Sequence, residues 1–110
     1  MNHEKTRLYR TSLQLVGDAA RLIHRFPPGL GFLVDHLRRA AASIPLNFAE
    51  GGRKRSTKER ARYFETASCS AREVSAIIDV AHQLKGVSDD EHAAVKNRCD
   101  HICAMLHRFH

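Results

Sequence analysis

A chain of 110 residues with 43% apolar side chains and no tryptophan has room for one domain, its core built mainly from aliphatic residues and alanine. That apolar share argues against disorder, and no stretch approaches the roughly 20 apolar residues of a membrane span. The net charge is +6, concentrated in one place: Arg53, Lys54, Arg55, Lys58, Arg60 and Arg62 stand against Glu59 alone.

The start, Met1-Asn2-His3-Glu4-Lys5, lacks the apolar run of a signal peptide, which points to the cytoplasm. Cys69, Cys99 and Cys103 are odd in number and form no C-x-x-C pair, as suits a reducing compartment.

Helical spacing marks four elements. The first covers about residues 6–25, where Leu8, Ser12, Leu15, Ala19, Leu22 and Phe26 recur on one face. Phe26-Pro27-Pro28-Gly29 ends it, because proline removes a donor and restricts the residue before it. The second covers about 30–50 on the stripe Leu33, Leu37, Ala40, Ala41, Ile44 and Phe48. Pro45 lies inside it, deprives the Ala41 carbonyl of its partner and predicts a kink. Gly51-Gly52 predicts a left-handed stop.

The third helix, 57–85, opens on the capping box Ser56-Thr57-Lys58-Glu59. Its stripe is Ala61, Phe64, Ala67, Ala71, Val74, Ile78, Ala81 and Leu84, whose alanines predict a close helix approach, and Lys85-Gly86 closes it. The fourth, 89–109, opens on a second box, Ser88-Asp89-Asp90-Glu91, and runs along Val95, Cys99, Ile102, Leu106 and Phe109. Short connections between long helices predict an all-α, antiparallel up-down-up-down four-helix bundle spanning 1–110.

Two features break the local rules. A helix start favours acids, yet Arg53, Lys54, Arg55 and Lys58 surround the start of the third helix. Backbone donors and cations aimed at one place suit an anion, phosphate above all. Lys58, Arg62 and Arg72 would extend the patch along the helix, with Tyr63 able to stack on a base. A solvated loop, a polyanion site and a contact for an acidic protein all remain open. Gly51-Gly52-Arg53-Lys54-Arg55-Ser56-Thr57 is not a P-loop, since its spacing is wrong and no strand precedes it.

The second feature is the polar set Arg38, Arg39, Ser43, Asn47 and Glu50 on an apolar helix. It reads as a structural group that satisfies carbonyls freed by Pro45 and pairs Glu50 with an arginine, or as an assembly surface.

No metal site, cofactor or small-molecule substrate is expected. Cys99, Cys103 and His107 share one face at spacing four, but one helix supplies no fourth ligand, and small buried hydrophobes account for the cysteines. The histidines show no H-E-x-x-H, and no arginine is followed five residues later by histidine, as in some helical ribonucleases. No catalytic constellation is present, so the expectation is a protein that is not an enzyme.

Leu37-Arg38-Arg39-Ala40-Ala41, Ser43-Ile44-Pro45, Asn47-Phe48-Ala49-Glu50-Gly51, Arg53 and Ser56-x-x-Glu59, continued by Phe64, Ala67, Ser70 and Glu73, resemble a bacterial family. Its members are four-helix-bundle proteins named after reading frames in intervening sequences of large-subunit ribosomal RNA genes. Leu8-Tyr9 and Phe26-Pro27 fit it as well. Cys69 stands where the family usually has glycine, and Pro28–Phe32 lacks the usual acids and is a residue short.

The resemblance implies a bundle assembled as a homopentameric ring. It also implies kinship with basic accessory proteins of diversity-generating retroelements, which look like nucleic-acid binders. Arg53, Lys54, Arg55, Lys58 and Arg62 are then the expected RNA or DNA contacts, Arg38 and Arg39 being weaker candidates, with Arg38, Arg39, Ser43, Asn47 and Glu50 structural or at the assembly surface. The other expectation is a protein–protein scaffold with no nucleic-acid role.

Overall fold

A computed structural model describes residues 2–109; Met1 and His110, one of the eight histidines, lie outside them. Four helices are present, α1 (His3–His24), α2 (Gly31–Gly52), α3 (Thr57–Gln83) and α4 (Asp89–His107), and no strand among the described residues. The structure is all-α and compatible with a four-helix bundle. No helix is long and apolar enough to cross a membrane.

Local chemistry sets the helix ends. α1 begins at His3 rather than Thr6, because the extended Asn2 accepts the Lys5 amide at 2.8 Å. Its buried Ser12 is satisfied by donating to the Tyr9 carbonyl at 2.7 Å. The Ser88–Glu91 box forms in both directions, the Ser88 hydroxyl accepting from the Glu91 amide and the Glu91 carboxylate from the Ser88 amide. At Ser56 only half of the expected box forms, with the hydroxyl accepting from the Glu59 amide at 3.3 Å.

Several expectations about termini are corrected. Gly51-Gly52 is no left-handed stop: both residues are helical and α2 runs through them. Gly51 is buried against Phe64, so close approach is what demands glycine there. Pro45 lies inside α2 and is buried there, as its place in the sequence predicts. At the end of α3 the left-handed residue is Lys85, with φ 64°, not a glycine. The Lys85 amide donates to His82 O and the Gly86 amide to Ala81 O, which is a Schellman closure. Leu84, expected in the core, is 46% exposed, while Ile77 is buried. α4 ends at His107, and Phe109 packs from the turn beyond it.

The helices run antiparallel to their neighbours. Ser43 meets Ser70, Asp79 meets Lys96, and Glu4 and Gln14 meet Arg108 and Arg98, one number rising as the other falls. The seams are unequal. α2–α3 is the most extensive, crossed by the Ser43–Ser70 bond, the Phe48–Phe64 contact and the close approach of Gly51 to Phe64. α1–α4 is the thinnest.

At the end where α2 passes into α3, Phe48, Phe64 and Phe109 form a ring cluster with centroids 5.2–6.3 Å apart. Lys5 Nζ stands 5.6 Å from the Phe109 centroid. Both ends of the described chain therefore lie beside the α2–α3 turn.

Candidate functional site

The turn at 53–56 carries the basic cluster. Glu50, in the last helical turn of α2, reaches forward to two of its members: Arg53 Nη2 lies 2.5 Å from one carboxylate oxygen and Lys54 Nζ 3.2 Å from the other. The bonds from Arg53 and then Lys54 hold the Glu50 carboxyl below its usual range, and the Glu50 bond raises the Lys54 ammonium. Lys54 Nζ also stands 5.4 Å from the Tyr63 centroid. Tyr63 is half-buried with the Lys54 cation over its ring.

Arg60 fixes the path of the turn. Its Nη1 donates to the carbonyl oxygens of Lys54 at 3.0 Å and Arg55 at 2.8 Å, and its Nη2 to Thr57 Oγ1 at 3.1 Å. These carbonyls belong to a loop with no helical partner for them, so one fork of donors organises it. Arg55, Lys58 and Arg62 remain exposed and, among the described residues, make no ion pair. The stripe stops short of Arg72, whose guanidinium bonds Glu65 at 3.4 Å and the Cys69 sulfur at 3.4 Å.

Sequence reasoning missed the company this turn keeps. Lys5, Arg7 and Arg108 lie at the same end of the molecule, Arg108 pairing with Glu4 at 3.4 Å. The signal was available, since in an even-numbered up-down bundle both chain ends share the end of the α2–α3 turn.

The polar set on α2 is split. Asn47 Nδ2 donates to the Ser43 carbonyl at 2.8 Å and hydroxyl at 2.9 Å, and Ser70 of α3 donates to the Ser43 hydroxyl at 2.7 Å. The carbonyl served belongs to Ser43, not to Ala41, the one Pro45 leaves unserved, so the expected repair of the proline does not form. Arg39 pairs with Asp35 at 3.3 Å, and Arg38 is exposed on another side of α2. Glu50 turns to Arg53 and Lys54, away from both Arg38 and Arg39.

Cys99 is buried, which pushes its thiol up to about 12, and burial also raises Cys103, whose sulfur donates to Ser68 O at 3.8 Å. His107 is exposed. Among the described residues no group of three or more His, Cys, Asp or Glu is placed to hold a metal ion.

Four antiparallel helices with a pinned cationic turn at one end define a small basic helical-bundle protein. The chain belongs to the 23S rRNA-intervening sequence protein family, whose profile matches residues 4–108. The function of that family is uncharacterised. No curated protein matches the chain.

Proposed function

We propose that this protein is a non-enzymatic, oligomeric accessory protein of the cytoplasm that binds the phosphate backbone of RNA or DNA. The observation that carries this reading is the turn pinned by Arg60, with Arg55 on it and Lys58 and Arg62 on the start of α3, all three exposed and without ion pairs among the described residues. A preorganised loop loses little entropy when it meets a phosphate, and unpaired cations need not first leave a carboxylate. Arg53 and Lys54 join them once Glu50 yields. Contacts of this kind carry little sequence information and release counterions. A homopentameric ring would repeat the patch around its axis and multiply a weak contact by avidity.

The test is fluorescence anisotropy with labelled single-stranded RNA and duplex DNA at two salt concentrations. Binding should weaken steeply with salt and be lost when Arg53, Lys54 and Arg55 are all replaced by alanine. Absence of binding at low salt, or unchanged affinity in the triple variant, overturns the reading.

A second reading, a protein–protein scaffold, draws on the Ser43–Asn47–Ser70 network beside the exposed Leu46 on α2. It expects Glu50→Ala to change the oligomeric state while the chain stays helical. An unchanged assembly removes Glu50 from that role.

A further inference from the structure

The thin α1–α4 seam opens into a groove of about 670 Å3, a size that suits a small molecule. Its floor is apolar, with Leu22 of α1 and Val95 of α4 at 6% and 5% exposure, and Ala20 and Ala94 on its walls. Three guanidiniums, Arg21, Arg25 and Arg98, rim it.

Only two carboxylates face those three cations, and both are already shared. Asp18 serves Arg21 and, at 3.2 Å, Arg98. Glu91 serves Arg25 and also caps α4 through the Ser88 amide at 2.8 Å. The Arg98 side chain is one-third exposed and spends a further donor on a neutral acceptor, Gln14 Oε1, at 2.7 Å. Positive charge over an apolar floor is thus left in excess.

We propose that this groove binds an amphipathic anion, an apolar body carrying one carboxylate or sulfonate that lies on Leu22 and Val95 with its charged head at Arg98. The dimensions separate this guest from a partner helix. The lining runs from Asp18 to Arg25 on α1 and from Glu91 to Arg98 on α4, about two helical turns or ~10 Å on each. An amphipathic helix engages its groove through anchors spread along several turns.

The test uses 1-anilinonaphthalene-8-sulfonate fluorescence with decanoate and decanol as competitors. The dye should bind saturably at one site, and decanoate should displace it far better than uncharged decanol. Arg98→Gln should weaken both dye and decanoate by about tenfold, the effect of losing one charged hydrogen-bond partner. Ala94→Trp, made at an exposed wall position and checked for helicity by circular dichroism, should abolish binding by filling the groove. The proposal is overturned by equal displacement with decanol, by a signal that survives both substitutions, or by dye release as the protein self-associates, which would make a second copy the occupant.

Discussion

Gly51 of α2 lies against the ring of Phe64 so closely that a methyl group in place of its hydrogen would sit 2.7 Å from Cε1 of the ring and 2.9 Å from Cβ of Tyr63. Phe64 cannot retreat cheaply, being 1% exposed and packed on Phe48 at 5.2 Å. Alanine would gain up to about 1 kcal/mol of helix propensity, against about 1–3 kcal/mol for overpacking. Gly51→Ala should therefore destabilise the fold by about 1 kcal/mol, read as a lower urea midpoint with an unchanged slope. A variant as stable as the parent would show that close packing is not what requires glycine.

Glu50 restrains the cations that the proposed interface needs. Glu50→Gln frees Arg53 and Lys54 from their carboxylate, a solvent-exposed contact that water and salt largely screen. Affinity for single-stranded RNA at low salt should rise by about two- to fivefold, with a steeper salt dependence. Weaker binding would mean that Glu50 holds the two cations in their productive positions.

The hydroxyl bond between Ser70 and Ser43 lends itself to a double-mutant cycle. Ser70 is 7% exposed, so Ser43→Ala strands its hydroxyl, at about 1–3 kcal/mol, while the Asn47 amide keeps its bond to the Ser43 carbonyl. Ser70→Ala alone should cost less, because Ser43 keeps its bond from Asn47. Adding Ser70→Ala to Ser43→Ala should recover part of the loss, since no hydroxyl then remains stranded. Strict additivity of the two losses would refute a coupled pair.

Acid should loosen the α3–α4 connection. Bonds from the Ser88 amide and then Arg25 hold the Glu91 carboxyl low; His92 and then Lys96 do so for Asp79, and His82 does so for Asp89. Their folded-state values lie below the unfolded ones, so their stabilisation is complete above the ordinary carboxylate range, about pH 4–5, and fades as pH falls through the folded values. Urea midpoints should drop on acidification through that range, and Glu91→Gln should flatten the drop. Ser88→Ala should cost about 1 kcal/mol at neutral pH through the lost cap.

What could be read from the residues alone was what depends on near neighbours or on period. The Ser88–Glu91 box needs only residues three apart, and the buried stripe from Leu33 to Phe48 needs only helical spacing. The misreadings came where a distant group decides. Gly51-Gly52 looks like a stop until Phe64 is placed against it, and nothing near Lys85 announces that a lysine would take the left-handed position while Gly86 makes room for Leu30.

The basic cluster at Arg53–Arg62 was evident from composition, but its division was not. Which cations are engaged depends on Glu50 reaching forward, Arg60 reaching back to its own loop and Tyr63 lying beneath Lys54. Local spacing allows several such pairings, and packing selects among them.

The inequality of the seams gives the bundle a grain along which it should open. Amide exchange reports local opening, and elements with the least packed contact exchange at the lowest free energy. α1 is joined to α4 only thinly, whereas α2 and α3 share the most extensive seam, with the Ser43–Ser70 bond and the Phe48–Phe64 contact across it. Deuterium should enter α1 first and the middle of α2 and α3 last, so the α2–α3 hairpin that carries the cationic turn would be the most persistent part of the molecule.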